Sequence, residues 1–377
     1  MDFTFTEEQQ MLRDTVRRFV TDDYAFDARK RSVADARGWS AAAWRTFADM
    51  GLLGVPFAER HGGIGGTPVE TMIVMEELGR GLVVEPYFAT VVLGGGIVDC
   101  AGNEAQKQSV LPEIAKGERM LAVAHTESQG RFDLHDVAVS ARKRGRSYRL
   151  QGAKTVVLNG ESAQQFVVSA RTSGAQRDRD GITLFLVDRD TPGLSVRGYR
   201  TFDGQRAAEV AFADVAIAAD RVLGPVDGGL PCLEQAADIG CAALCAEAVG
   251  LMEVINAMTL EYTRTREQFG QPISRFQVLQ HRMVDMMTHL EQTRSLSYLA
   301  SGRCRSNDAT VRARSVSAAK AHVGISGRFV VESAIQLHGG MGVTNELAVG
   351  HYCKRLTLID FILGDADHHL ERLAAHG

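Results

Sequence analysis

Two long stretches near the C-terminal third carry apolar residues at helical spacing. Val249, Met252, Ile255 and Met258 form one stripe, and Leu279, Met283, Met286 and Leu290 form the next. Between them Gly270 offers a helix stop, and Pro272 keeps the chain from winding straight on. At the other end, Thr6-Glu-Glu-Gln9 has the form of a capping box. It opens a helix with Met11, Leu12, Val16, Phe19 and Val20 as its buried stripe. Residues 39–50 form a further helical pattern closed by Gly51, and 67–78, 86–100 and 104–114 follow. At Leu121 the texture changes. Asp136-Val-Ala-Val-Ser, Phe166-Val-Val-Ser-Ala, Ile182-Thr-Leu-Phe-Leu-Val and Glu209-Val-Ala-Phe are short β-branched or aromatic runs punctuated by Gly, Asn and Asp. No helix alternates with them, which favours an antiparallel barrel or sandwich over a parallel sheet. After Gly224-Pro225 helices return and continue to the end. The expectation is a multi-domain α+β protein. An all-α domain spans 1–120, an antiparallel β-barrel or sandwich 121–226, and a helical bundle packed on other subunits 227–377.

Composition narrows the function. Lys plus Arg is 42 and Asp plus Glu is 46, a net charge of -4 with no block of one sign, which argues against a nucleic-acid surface. No basic segment precedes an apolar run at the N-terminus, and no uncharged apolar stretch is long enough for a bilayer, so a cytoplasmic protein without membrane insertion is expected. Six cysteines without CxxC spacing are expected to be reduced and mostly buried. Eleven histidines show no HExxH pattern, and His368-His369 would point to different helix faces, so no metal site is expected. Gly62-Gly-Ile-Gly-Gly66 lacks a preceding strand and a Lys-Ser/Thr, and is expected to be a loop between helices.

Candidate chemistry concentrates around Arg266. Arg264 and Arg266 lie near the end of a helix beside a sharp turn, where a guanidinium can grip a phosphate with paired hydrogen bonds. Arg264 alone would be a solvated basic helix end. Arg266-x-x-Phe269-Gly270, Pro272-Ile273 and Phe276-Gln277 together resemble the flavin-tail motif of the acyl-CoA dehydrogenase family. Gln336-Leu-His-Gly-Gly-Met-Gly342 resembles that family's Gln-x-x-Gly-Gly element, and glycine there lets backbone approach a ligand closely. Phe3-Thr-Phe-Thr-Glu-Glu-Gln, Gly51-Leu-Leu-Gly-Val and Met75-Glu-Glu-Leu-Gly79 resemble its first domain, so the likeness covers essentially the whole chain. The resemblance implies FAD, an acyl-CoA substrate, α,β-desaturation of the β-oxidation type in lipid metabolism, and electron-transfer flavoprotein as acceptor. It assigns FAD contacts to Arg266, Gln268, Phe269, Gln277, Gln336, Leu337, Gly339, Gly340 and Thr126, with the arginine and glycine elements reaching into a neighbouring subunit of a tetramer. His338 is taken as filler, not a base.

In that family a base removes a proton beside the thioester carbonyl while a hydride leaves the next carbon for the flavin, which carries the redox chemistry. The chain departs from the pattern at the base. Leu363 stands where the commonest catalytic Glu is expected, and Gly240-Cys241 at the alternative position. Asp238 and Glu247 lie nearby in sequence, and Asp365 is two positions past Leu363. The flavin-ring side is also altered. Thr126-Glu127 match, but Phe132 replaces a small hydroxyl residue, Val156 the covering aromatic ring and Leu158 the threonine that bonds the flavin. The pattern resembles the base-lacking small subunits of heteromeric bacterial dehydrogenases of pimeloyl-CoA and steroid side-chain type. Such a chain is expected to complete the FAD site of a homologous partner and to be inactive alone. The alternatives are a self-sufficient enzyme using Asp365 as a displaced base, and an acyl-CoA- or flavin-binding pseudoenzyme.

Overall fold

The computed structural model describes residues 4–376, so Phe3 of the N-terminal motif lies outside the described residues. Helices α1 (Glu7–Arg18), α2 (Phe26–Ala34), α3 (Ala41–Asp49), α4 (Pro68–Arg80), α5 (Gly96–Ala101) and α6 (Glu104–Ala115) come first. Strands follow: β1 (Leu121–Ala124), β2 (Ser140–Arg144), β3 (Ser147–Leu158), β4 (Gln165–Arg171), β5 (Ile182–Asp188), β6 (Leu194–Arg200), β7 (Arg206–Ala218) and β8 (Val222–Leu223). The remainder is α7 (Leu230–Thr265), a hairpin of β9 (Glu267–Gln268) and β10 (Gln271–Pro272), then α8 (Gln277–Arg303), α9 (Ala309–His338), α10 (Ala348–Phe361) and α11 (Ala366–Ala375). The order is therefore helical, β, helical, as the hydrophobic pattern requires. Residue contacts divide the chain into two compact units, residues 1–31 with 68–83 and 241–377, and residues 32–67 with 84–240.

In the first unit, Thr6 caps α1. Its side chain accepts from the Gln9 N–H at 3.2 Å, while the Gln9 amide oxygen accepts from the Thr6 N–H at 3.0 Å. Val16, Phe19 and Val20 are buried as expected, but Met11 is exposed, because it sits off the i, i+3, i+4 face that those three define. Helices α4 and α7 meet backbone to backbone. A Cβ on Gly79 would fall 2.2 Å from the Glu247 carbonyl oxygen, and one on Gly250 would fall 2.0 Å from that of Glu76. Only hydrogen fits at either position. An ion-pair network surrounds this crossing. Glu77 accepts from Arg17 and Arg80, Glu253 from Arg80 and Arg294, and Arg294 reaches Glu76 at 2.9 Å. Deeper still, Arg355 grips Glu247 with two bonds of 2.5 and 2.8 Å, both side chains buried.

In the second unit the strands form one sheet in the order β6-β7-β3-β2-β4-β5-β8, with β1 parallel to β4. The expected barrel or sandwich resolves as a sandwich-like sheet that does not close. Most pairings are antiparallel; β4 also takes a single parallel contact from β2. β7 alternates, with Val210 and Phe212 inside and Glu209 and Ala211 outside, whereas β4 is buried along its whole length. Phe166, Val168, Phe185, Tyr148, Leu150 and Phe212 lie in one core. Two sequence expectations change here. Residues 136–139 are extended but not a strand, because the N–H groups of Ala138 and Val139 bond the Glu127 carboxylate at 2.9 and 3.2 Å instead of a neighbouring strand. The helical stretch at 86–100 is wide: Phe88–Gly95 forms a π-helix before α5 begins.

Among the described residues no helix is long and apolar enough to cross a membrane, and no cluster of His, Cys, Asp or Glu could hold a metal ion. Removing one member of the buried Glu247–Arg355 pair leaves the other charge uncompensated, so Arg355→Met is expected to destabilise the chain by about 3–5 kcal/mol in denaturant unfolding. A loss no larger than that of an exposed arginine would contradict this.

Candidate active site

Helix α7 stops at Thr265, not at Gly270 as the glycine suggested. The Arg266 N–H still reaches the Tyr262 carbonyl at 2.9 Å, and the chain then doubles back through β9 and β10. Phe269 and Gly270 form the two-residue turn, both left-handed with φ of 55° and 76°. This is the primed hairpin geometry that matches strand twist, and glycine at its second position suits it. Ile273 N–H bonds the Arg266 carbonyl at 2.8 Å and closes the base of the hairpin. Arg266 stands at that base, exposed, and its guanidinium has no partner among the described residues. Gln268 is exposed with its amide on the Glu267 carbonyl, and Gln277 is exposed at the start of α8. Phe269 is 92% exposed at the tip, its ring edge-on to Phe276 with centroids 6.1 Å apart. An aromatic residue held left-handed in solvent gains no burial in exchange for its backbone strain.

The glycine element lies at the end of α9. Gln336 is exposed, Leu337 is buried, and Gly339 leaves the helix with φ of 58°. A Cβ on Gly339 or Gly340 would meet nothing within 4 Å, so this backbone faces open space. His338 is buried and stacks on Tyr262, with ring centroids 4.5 Å apart and planes 26° from parallel. Its Nδ1–H donates to the Ala334 carbonyl at 2.9 Å, and burial lowers its pKa. The histidine is thus a spacer and not a base, and the stack holds the arginine hairpin and the glycine element together. An unengaged guanidinium, an exposed aromatic ring and open glycine backbone fit the phosphate and adenine end of a dinucleotide.

The two base positions also come together. Leu363 sits in the turn after α10 with φ of 60°, and Cys241 places its Sγ 3.8 Å from the Leu363 carbonyl oxygen and 3.8 Å from His369 Nε2. His369 Nε2 lies 3.1 Å from the same carbonyl, and its Nδ1 lies 3.3 Å from Ser317 Oγ. Lys320, fully buried, donates to the carbonyls of Asp360 at 2.8 Å and Gly364 at 2.6 Å. Burial and the Lys320 charge push His369 down to about 2, so it stays neutral. None of these contacting side chains is a carboxylate. Of the acids near these positions, Glu247 is committed to Arg355 and Asp365 to capping α11 by accepting the His368 N–H at 2.9 Å, while Asp238 is buried in α7 one helical step before Cys241.

On the ring side, Glu127 is buried against Lys154 at 2.7 Å, and Lys154 also donates to Ser169 and to the His125 carbonyl. Burial, with Lys154 beside it, pushes His125 down to about 3. Thr126 is half-buried, and its carbonyl accepts from Thr155 N–H at 2.8 Å. Val156 is exposed and left-handed with φ of 50°, at the point where the β3–β7 register shifts. That conformation is unusual for a β-branched residue. Leu158 is half-buried, and Phe132 lies beneath the Arg131 guanidinium, 5.5 Å from ring centroid to Cζ. Residue patterning alone does not single out Tyr262 or Lys320, and it offers His369 only as half of a His-His pair. The signal for Lys320 was a lone cation within the small-residue run Ala318-Ala319-Lys320-Ala321.

A helical–β–helical chain with an exposed arginine hairpin beside an open glycine backbone has the architecture of a flavoprotein dehydrogenase. The sequence patterns of the acyl-CoA dehydrogenase N-terminal, middle and C-terminal domains match residues 6–118, 122–215 and 227–377. The mitochondrial isovaleryl-CoA dehydrogenase of Pongo abelii is 30% identical over 96% of this chain and 86% of its own length. The chain belongs to the acyl-CoA dehydrogenase family. Among solved structures, a Tcur3481-Tcur3483 steroid ACAD variant is 29% identical with a TM-score of 0.89, covering 98% of this chain and 97% of that one. The ChsE4-ChsE5 complex from Mycobacterium tuberculosis is 28% identical with a TM-score of 0.88, covering 100% of this chain and 98% of that one.

The neutral histidines set an acid limit. Unfolded, each takes up a proton below about pH 6.5, whereas folded His369 and His125 do not until far lower pH. Their contribution is therefore intact above pH 6.5 and falls on acidification, by up to about 1.4 kcal/mol per pH unit for each histidine. Denaturant unfolding between about pH 6.5 and 5 should show this slope, and His369→Gln should flatten it.

Proposed function

We propose that this chain is the base-lacking subunit of a heteromeric, FAD-dependent acyl-CoA dehydrogenase, and that it completes the cofactor site of a homologous partner. The observation that carries this reading is the meeting of Leu363 and Cys241 with a 3.8 Å contact between them, which leaves both expected base positions without a carboxylate. FAD supplies the two-electron acceptor chemistry. Arg266 would hold its pyrophosphate, Phe269 would meet the adenine, and Gln268, Gln277, Gln336, Leu337, Gly339 and Gly340 would shape the same cradle. Thr126 is what remains of the ring side. The partner brings the base and the ring pocket, an acyl-CoA is the substrate, and electron-transfer flavoprotein takes the electrons.

Surface character supports an assembled state. Val278, Val284 and Met287 on α8 and Ile325 on α9 are all exposed apolar residues of the C-terminal helices. The paired names of the two solved relatives point the same way.

The competing reading is a self-sufficient enzyme with Asp365 as base. The cap bond from His368 N–H counts against it. It is also separable by experiment, because asparagine caps a helix as well as aspartate, so Asp365→Asn should leave the fold intact. The purified chain alone should not reduce its flavin with acyl-CoA, since a missing base removes about 10²–10⁴ in rate. Adding a base-bearing homologue should restore flavin reduction, and Arg266→Ala in this chain should then lower both the flavin content and the turnover of the mixed enzyme. Turnover by the lone chain that Asp365→Asn abolishes would overturn the proposal.

Phe269 gives a second test. Phe269→Gly should relieve left-handed strain and stabilise the lone chain by up to about 1 kcal/mol, while weakening flavin retention in the mixed enzyme. Unchanged flavin retention would remove Phe269 from the site.

A further inference from the structure

Two cysteines outside the site lie together. Cys100 is exposed in α5, and Cys232 is half-buried in the first turn of α7. Their thiols hydrogen-bond side chain to side chain. A second contact fixes the approach: Cys100 Sγ donates to Gln235 Oε1 at 3.6 Å. Gln235 is three residues beyond Cys232 on α7, so both share one face of the helix and Cys100 packs on that face. The neighbourhood is anchored further. Gln106 on α6 donates to the carbonyls of Asp220 and Val222 at 2.9 Å, and Ala101 lies 3.4 Å from the Cβ position of Gly224. The Cys100 hydrogen bond and burial push the Cys232 thiol up, with Lys107, paired with Asp99 at 3.7 Å, opposing, so the exposed Cys100 is the attacking thiol. The other four cysteines are buried, so this pair alone joins an accessible sulfur to an adjacent one.

We infer that Cys100 and Cys232 are a thiol–disulfide site that closes to an intramolecular disulfide on reaction with a small disulfide such as oxidised glutathione. An exposed thiol with an adjacent resolving thiol is the arrangement that such exchange needs. The Cys100 thiolate attacks one sulfur of oxidised glutathione. The S–S bond breaks, one glutathione leaves and takes up a proton, and the other remains on Cys100. Cys232 gives its proton to solvent, and its sulfur attacks the Cys100 sulfur, releasing the second glutathione. Two protein thiols are oxidised and one glutathione disulfide is reduced. The bond ties the end of α5 to the start of α7.

The test is peptide mapping of the folded, full-length chain after treatment with oxidised glutathione, alkylated without reductant. The expected result is a Cys100–Cys232 cross-linked peptide carrying most of the oxidised sulfur, reversed by dithiothreitol. Cys232→Ser should trap glutathione on Cys100, and Cys100→Ser should give neither adduct nor cross-link. Because the wild-type map needs no variant, the inference survives a misfolded substitution. Glutathione accumulating on wild-type Cys100 without the cross-link would overturn it, as would no oxidation of either cysteine while the chain remains folded.

Discussion

The crossing of α4 and α7 is the contact on which the first unit depends. Gly79 and Gly250 each face a carbonyl of the opposite helix at a distance no side chain tolerates. Two helices brought this close cannot exclude the polar groups beside them, so Glu76, Glu77, Arg80, Glu253 and Arg294 balance one another around the contact. Glu247, whose carbonyl receives Gly79, is held in turn by Arg355 of α10. Glu77, Arg80, Glu253 and Arg294 each have more than one partner, which offsets the cost of burial and makes the crossing specific. One helix thereby carries Cys241 near one end and Arg266 just beyond the other, both positioned by the same packing.

Along that helix two kinds of chemistry diverge. At the Arg266 end, the guanidinium has no partner among the described residues, Phe269 is exposed, and the backbone accepts left-handed turns at Phe269 and Gly270. The guanidinium is open to solvent, and the left-handed Phe269 gains no burial in exchange for its backbone strain. At the Cys241 end the opposite holds. Lys320, His369 and Cys241 spend their hydrogen bonds on the carbonyls of the 360–364 turn, so the space around the base position is closed by the chain's own groups. An outward-facing arginine hairpin with an inward-closed turn at residues 360–364 fits the proposed role of a subunit serving another's site.

The Lys154–Glu127 pair does similar work in the second unit. Glu127 takes two backbone donors from 138–139, which would otherwise extend a strand, and Lys154 gathers the His125 carbonyl and Ser169. A buried polar network therefore decides where β2 begins. The left-handed Val156 sits just past Lys154, where the register of β3 slips and its side chain turns outward.

The hydrophobic period by itself determined most of the architecture, because burying one face is a local demand written into the spacing of residues. It placed the helical, β and helical regions, and the Thr6-Glu-Glu-Gln9 spacing placed the first helix cap. The Arg266-x-x-Phe269-Gly270 and Gln336-x-x-Gly339-Gly340 spacings, and the lack of a carboxylate at Leu363 and at Gly240-Cys241, were also legible, since each depends on residue type at a short spacing. What only tertiary structure decided were relations between distant residues. Gly270 proved to be a hairpin turn because β10 pairs with β9, a fact no single helix signal contains. Asp136–Val139 lost its strand to a carboxylate nine or more residues away. Cys241 and Leu363, 122 positions apart, became one place only when α7 and the turn after α10 packed together. Spacing along a chain sets which face is buried; which buried group meets which is settled by packing alone.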